Sequence, residues 1–505
     1  MTVLLGIDLG QTSAKVTALT LDGAVAGSAA ADYPVSHPAP GAAEQDPDDW
    51  VAAVGTACHG LWSGGVAPSE VAAVGLSSAT HHGVLLGDDL RPLRPCILLT
   101  DGRSAPQAAA LEREAGELIL QRGRNPVSPT WTLPQLRWIA ETEPATWAAL
   151  RTLVFAKDVV RLALTGSLAT DRIDAEGSLL LDANAGRWDP DLLSLAGLRP
   201  DQLPEICEPT DVTGVVDARG SALTGIPSGV PVVAGASDTA AEGYAAGAVH
   251  PGAAVVKIAT AGNVNVMVDR PQVGRQWLTY SHPVPGLAYH CQATNSAATS
   301  LGWWQRVCGV GFDELLAEAD LARPGSGGVL FHPYLLGERS PVWDPNVRAC
   351  FTGASATTTR GDLTRAVLEG VALSLAECVQ RYAAAGISIA TARVLGGGAR
   401  TAVWRRIAAD VLGIPLVQPS LTDASAGAAL LAGAGAGLLP DLTSVPESLA
   451  PTAEHHPDLR RHEGYQELLA LYVETRERTA DLVPKLAGID YGTVTSTDMA
   501  TKGTA

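Results

Sequence analysis

Two tight turns within the first 25 residues decide what kind of sheet this chain can begin with. Thr2-Val3-Leu4-Leu5-Gly6-Ile7-Asp8-Leu9 is a β-type run that stops at Gly10. A second run, Lys15-Val16-Thr17-Ala18-Leu19-Thr20-Leu21, follows at once and ends at Asp22-Gly23, a strong hairpin signal between apolar runs. Ala24-Val25-Ala26 then opens a third strand. Strands joined by such short turns are antiparallel, so the chain does not open with the strand–helix crossover of a dinucleotide-binding unit. Near residue 250 the pattern restarts. Ala253 to Ala259 reads as a strand, a Thr260-Ala261-Gly262 turn follows, and Asn263-Val264-Asn265-Val266-Met267 reads as another strand. The chain therefore reads as two similar halves facing each other.

Between these openings, apolar strand-like runs (Val71–Leu76, Val230–Ala234) alternate with helical stretches, the pattern of an α/β core. The spacing from Asp46 to Leu61 predicts a helix capped by Asp46 with Pro47 in its first turn. In the second half, helices are expected over Thr364–Cys378 and Thr401–Leu412, with a strand at Ala392–Leu395 between them. The Thr/Ser/Gly-rich stretch from about Gly488 has few apolar residues and is expected to be a disordered tail. A length of 505 residues exceeds one ordinary core and implies two or three domains. With 53 glycines and 5% aromatics, close helix-on-sheet packing is favoured over an aromatic-rich sandwich.

A formal charge of −18 argues against a nucleic-acid partner, because that binding rests on Lys and Arg neutralising phosphates. It leaves room for a local anion site made of backbone N–H groups. Seven cysteines without a CxxC or Cys/His cluster fit a reduced, cytoplasmic protein without structural metal. No signal peptide or membrane span is expected, since the Ala/Leu runs are broken before reaching about 18 residues.

Several polar points stand at or near the ends of apolar runs. Asp8-Leu9-Gly10-Gln11-Thr12-Ser13-Ala14-Lys15 gathers a carboxylate, two hydroxyls and a cation around one turn, which can grip a phosphate and its metal or serve as a plain hairpin. Ala259-Thr260-Ala261-Gly262 and Gly396-Gly397-Gly398-Ala399-Arg400 offer further small-residue turns for a nucleotide, or for close packing. Ser77-Ser78-Ala79-Thr80-His81-His82-Gly83 places adjacent histidines where they can hydrogen-bond sugar hydroxyls. Thr100-Asp101-Gly102-Arg103 is a polar cluster that could equally cap a helix. Asp238, in Gly235-Ala236-Ser237-Asp238-Thr239, follows a buried-type strand, where an ionised carboxylate is costly without partners. Read alone it is a helix cap. Glu338-Arg339, in a Pro-rich loop, reads as a structural pair holding a corner between domains.

Taken in order, these motifs resemble the FGGY carbohydrate kinases, and within them the xylulokinase branch. The matches are DLGQTSAK at 8–15, HHG at 81–83, LLTDGR at 98–103, GASDTAAEG at 235–243, IATAG at 258–262, YLLGERSPVWDPNVRACFTG at 334–353 and LGGGARTAVWRRIAADVLG at 395–413. The resemblance implies two actin/hexokinase-like (RNase H-like) α/β domains, 1–248 and 249–487, with the active site in the cleft between them and a tail at 488–505. It implies ATP and Mg²⁺ as cofactors, and phosphorylation of a small ketose, D-xylulose to D-xylulose 5-phosphate in the first place. Gluconate or another pentulose or polyol is the alternative, and a catalytically silent nucleotide-binding regulator is an alternative of another class. Homodimers are common in such kinases. Carried over, Asp238 matches the catalytic base and a sugar contact, while His81, His82 and Asp101 match the sugar site. Asp8 matches the metal-side acid; Thr12, Ser13, Lys15 and Thr260 match phosphate contacts; Gly397, Gly398 and Ala399 match the adenosine turn. The chain departs from the family pattern at Gln11, His81, Leu99-Thr100, Thr239 and the 259–262 turn.

Overall fold

The computed structural model describes residues 1–443 and 450–487, so the stretch read as a tail lies outside the described residues. In the first half, β1 (Val3–Leu9), β2 (Ser13–Thr20) and β3 (Val25–Asp32) form the expected antiparallel meander, and α1 (Pro47–Ser63) starts at Asp46, whose side chain accepts the Asp48 N–H at 3.0 Å. β4 (Val71–Ser78) then adds parallel to β1. α2 (Ala156–Thr165) leads, through later segments, to β5 (Val212–Val215), β6 (Pro231–Val233), β7 (Ala236–Ser237) and α3 (Asp238–Ala245). The sheet order is β5-β6-β4-β1-β2-β3, with β7 paired to the end of β4.

The second half repeats this plan. β8 (Ala253–Ile258) and β9 (Gly262–Val268) are the antiparallel pair, joined by β10 (Leu278–Ser281) and β11 (Ala288–Thr294). α4 (Arg360–Ala384) precedes β12 (Thr391–Leu395), α5 (Ala402–Leu412), β13 (Leu416–Gln418), α6 (Ala424–Gly435) and β14 (Ala453–His455). The order is β10-β11-β9-β8-β12-β13-β14, with β8 parallel to β12 and antiparallel to β9. α4 starts a turn earlier than the periodicity suggests because of a capping box between Thr359 and Asp362, and it also runs on past Cys378 to Ala384.

The halves interlock by exchanging helices. α6 lies in sequence between two strands of the second sheet, β13 and β14, but packs on the first: a Cβ on Gly6 would stand 1.7 Å from the Ser425 carbonyl oxygen, and one on Gly75 would stand 1.9 Å from that of Ala428. α3 lies in turn against the second sheet, with Gly243 over Val255 and Met267. α3 and α6 cross where Gly427 meets the Ala241 carbonyl, 2.0 Å from a Cβ position. One buried cluster accordingly contains Leu4, Val233 and Ala240 from the first half and Val255, Met267, Tyr280 and Leu431 from the second.

Three local expectations are corrected. Ser237, not Asp238, caps α3, its hydroxyl accepting the Ala240 N–H at 3.4 Å. Neither Thr100 nor Asp101 caps the next helix, Ala105–Gly123, which begins after Ser104 without a side-chain cap. Glu338 and Arg339 hold a corner inside the second half: Glu338 accepts the Asn295 N–H at 2.6 Å and Arg339 donates to the Thr294 carbonyl at 3.1 Å, pinning their loop to the end of β11.

Candidate active site

The ends of β1, β4 and β7 converge on one point because all three run parallel in the same sheet. β1 delivers Asp8, β4 delivers Ser77 and Ser78, and β7 leads into Asp238. With Ser237 serving as the cap, the Asp238 carboxylate is held only by its neighbour, accepting the Thr239 N–H at 2.6 Å and its hydroxyl at 3.2 Å. It is half-buried. Burial raises its pKa, against the opposing charge of Lys257 and the Thr239 hydrogen bonds.

Asp8 accepts the Ser77 hydroxyl at 2.7 Å. Burial pushes its pKa up to about 7, and the charges of Asp238, Asp423 and Glu242 add to this while the Ser77 bond opposes it. Two lysines balance the group. Lys257 of β8 pairs with Glu242 of α3 at 2.7 Å, and Lys15 of β2 pairs with Asp423, the cap of α6, at 2.6 Å. Four carboxylates thus face two ammonium groups across the two halves. Burial works against Asp423's charge, but the hydrogen bonds from Lys15 and Ser425 prevail and hold its pKa down. The local excess of negative charge suits a divalent cation. Among the described residues no group of three metal-binding side chains stands ready to cage one, which fits Mg²⁺ that keeps its waters and takes one or two carboxylates plus phosphate oxygens.

Of the turns expected to meet a nucleotide, the first is braced from behind: Tyr33 donates its N–H to the Thr12 carbonyl (3.0 Å) and its hydroxyl to that of Gly10 (2.5 Å). Thr12 stays exposed and Ser13 and Lys15 partly so. Thr260 is likewise exposed, with its carbonyl accepting from Ala297 N–H (3.0 Å) and Thr299 Oγ1 (2.8 Å). The third turn divides its labour. A Cβ on Gly397 would meet nothing within 4 Å, so that residue opens onto free space. A Cβ on Gly398 would press on Ile258 at 2.4 Å and on Trp404 at 2.9 Å, so that glycine is required for packing. Ala399 is buried, its carbonyl held by Arg405 at 2.5 Å. Gly398–Arg400 form a short 3₁₀ turn ahead of α5, with Gly397 just before it.

His82, expected as a sugar contact, is buried with its Nε2 lacking a protein partner, as is the Ser78 hydroxyl close by in the chain. Buried polar atoms are nearly always hydrogen-bonded, so these two are ready for a polar ligand. His81 stands differently: Nδ1 meets the Thr130 carbonyl and Nε2 the Tyr280 hydroxyl, both at 3.0 Å, and its ring stacks on Trp131 at 4.0 Å. Asp101 is buried and engaged, accepting the Ala43 N–H at 2.7 Å and the Arg103 Nε at 2.9 Å.

The structure thus brings Asp8, Lys15 and Asp238 to one point. It adds Lys257, Glu242, Asp423 and Tyr280, none of which the sequence reading singled out. Glu242 had a signal, four residues after Asp238 on the same helix face. Lys257 was a lone cation near a strand end, and Asp423 a cap before an Ala/Gly run. Tyr280 had none, since it comes from an edge strand of the opposite half.

Models of the FGGY family of carbohydrate kinases match the chain twice, the N-terminal domain over residues 3–243 and the C-terminal domain over 273–436. A xylulose kinase of Lactococcus lactis is 30% identical over 96% of this chain and 99% of its own length. A gluconokinase of Bacillus subtilis is 27% identical over 97% of this chain and 99% of its own. The crystal structure of a xylulose kinase from Rhodospirillum rubrum superimposes with a TM-score of 0.89 at 30% identity, covering 95% of this chain and 99% of that one.

Proposed function

The chain belongs to the FGGY family of carbohydrate kinases and is an ATP-dependent sugar kinase; on that premise we propose that its acceptor is a small neutral ketose, D-xylulose before gluconate, with Asp238 as the base. The observation that carries the ketose over the sugar acid is the state of Arg103, the cation in the sugar-side motif LLTDGR. Its Nε lies 2.9 Å from Asp101, its Nη1 lies 2.6 Å from Glu44, and its guanidinium sits 5.0 Å from the Trp138 ring centre. Glu44 is itself bridged to Arg94 at 2.6 Å. Drawing Arg103 away to meet an aldonate carboxylate would leave two buried carboxylates short of a partner, a strongly unfavourable change. The likeness to xylulose kinases supports the same reading, while the gluconokinase likeness keeps gluconate as the second candidate.

In phosphoryl transfer the protein chiefly positions groups and neutralises charge. A sugar hydroxyl is too weak an acid to be ionised by a carboxylate beforehand. With a loose transition state the proton leaves late, so Asp238 orients the hydroxyl and takes its proton as the new P–O bond forms. Burial raises the carboxylate's basicity, and the charge of Lys257 opposes that rise. His82 and the Ser78 hydroxyl hold sugar hydroxyls. Thr12, Ser13, Lys15, Thr260 and the space over Gly397 receive the nucleotide. Asp8 would hold Mg²⁺, which when bound would neutralise phosphate charge. The proposed division of the chain at residue 248 places the base in one domain and the adenosine turn in the other.

A coupled ADP-release assay across D-xylulose, L-xylulose, D-ribulose, glycerol, erythritol and gluconate tests this. We expect the highest kcat/KM on D-xylulose and a fall of about 10²–10⁴-fold in kcat for Asp238→Asn. Near-normal turnover in that variant would remove Asp238 from the role, and a preference for gluconate would remove the ketose.

A further inference from the structure

Beside His81 a strand of the second half closes onto the first. β10, an edge strand of the second sheet, is tied to the first half on either side of Tyr280. Asn125 exchanges two hydrogen bonds with the Thr279 backbone (2.8 and 2.7 Å), and Glu176 accepts both the Ser281 N–H (2.6 Å) and the Ser281 hydroxyl (2.5 Å). Tyr280, held between these straps, reaches His81 Nε2 with its hydroxyl at 3.0 Å. Its ring centre lies 5.9 Å from that of Trp131 and 5.4 Å from that of Tyr289, and the charge of Asp238 is felt at both phenols.

The direction of the His81–Tyr280 bond follows from its other partners. Thr130 offers Nδ1 only a carbonyl oxygen, so Nδ1 carries the proton. The ring is enclosed and neutral, burial having pushed its pKa down to about 3. Nε2 is therefore a lone pair, and the Tyr280 hydroxyl must donate to it. Burial also pushes the phenol's pKa well above its ordinary value, so that proton stays in place. Packing leaves the imidazole little freedom, since it stacks on Trp131 and Gly177 lies against its edge. With its one proton committed, the phenolic oxygen has only lone pairs to offer to anything else.

We propose that Tyr280 contacts the sugar acceptor and sets its class: with its proton held by His81, the phenol accepts a hydrogen bond from a substrate hydroxyl, admitting a neutral hydroxylated chain end and disfavouring a carboxylate. His81 is then a positioning residue, acting through Tyr280 rather than on the sugar. A carboxylate has no proton to donate to that oxygen. To satisfy it, Tyr280 would have to turn its hydroxyl away and strand His81 Nε2, a loss of roughly ten- to hundredfold in affinity for a buried unpaired group. The inference rests on the reading of Asp238 as marking the acceptor site, and it deepens that reading by naming the device that selects a ketose.

The test uses the full chain carrying Tyr280→Phe or His81→Met, with steady-state kinetics on D-xylulose and gluconate and KM for ATP as reference. Tyr280→Phe, which removes one oxygen from an unchanged ring, should raise KM for D-xylulose about tenfold with kcat and the ATP KM little altered. His81→Met frees the phenol proton to donate, so the gluconate-to-xylulose ratio of kcat/KM should rise about tenfold or more. A merely structural role would not move that ratio. Should His81→Met fail to fold, Tyr280→Phe alone decides. An unchanged KM for D-xylulose in Tyr280→Phe would overturn the inference and leave the ketose reading standing. Wild-type preference for gluconate would overturn both.

Discussion

Asp8 is where function and stability pull in opposite directions. Its carboxyl sits among Asp238, Asp423 and Glu242, and burial with these charges carries its pKa from an ordinary 3.8 to about 7. The native state therefore holds the Asp8 proton between about pH 4 and pH 7, where the unfolded chain has released it. The native state binding more protons, stability must fall as pH rises through that window. The penalty is complete above pH 7 and absent below pH 4. We expect Asp8→Asn, in chelator and without nucleotide, to unfold at a higher temperature than the wild-type chain at pH 8, with the gap closing toward pH 4. Thermal melts across that range check it, and a gap that widened on acidification would sink the account. On the metal-side role proposed for Asp8, the same variant should also be a poor kinase.

At the scale of elements, the decisive contact is the crossing of α3 and α6. Two helices approach this closely only where one of them lacks side chains. α6, with the sequence ASAGAALLAGAG, is buried from Ala424 to Gly433. Its Gly427 faces a backbone carbonyl that cannot move without shifting α3, and α3 carries Asp238 at its first residue. Gly427→Ala should destabilise by about 1–3 kcal/mol through overpacking. Gly464, exposed on the helix Leu459–Thr479 with nothing within 4 Å of a Cβ, is the control of opposite sign. There alanine should stabilise by about 0.4–1 kcal/mol. Denaturant unfolding of the two variants measures both, and equal effects would show that the crossing is looser than its geometry.

At the scale of the molecule, the two halves are similar in plan but not independent. The first sheet buries one face against α6, which belongs by sequence to the second half. The second sheet buries part of a face against α3, which belongs to the first. Between the halves run the ion pairs Lys15–Asp423 and Lys257–Glu242 and the straps from Asn125 and Glu176 to β10. Split at 248, fragment 1–248 would present the bare backbone groove at Gly6 and Gly75 to water. We expect neither 1–248 nor 249–505 to give a cooperative melt alone, and the two co-expressed to associate and recover one. A sharp transition in fragment 1–248 by itself would show that α6 is dispensable to it. Among the described residues no helix is long and apolar enough to cross a membrane.

Much of this was legible in the chain because it is local. Hairpin turns, the cap at Asp46 and the restart near residue 250 are set by residues within a few positions of one another, and they specify a doubled α/β fold. Asp8, Lys15 and Asp238 were legible as chemistry because each stands at the end of a strand, where side chains meet a cleft. Which residue caps α3 was not, since Ser237 and Asp238 are equally good caps and only the backbone angle at Ser237 separates them. Nor could the chain announce that Arg103 is spent on Asp101 and Glu44, that His81 serves Tyr280, or that Asp423 faces Lys15. Apart from Asp101, two residues from Arg103, these partners lie 59 to 408 residues apart, and their pairing is a matter of tertiary packing that no short window of sequence contains.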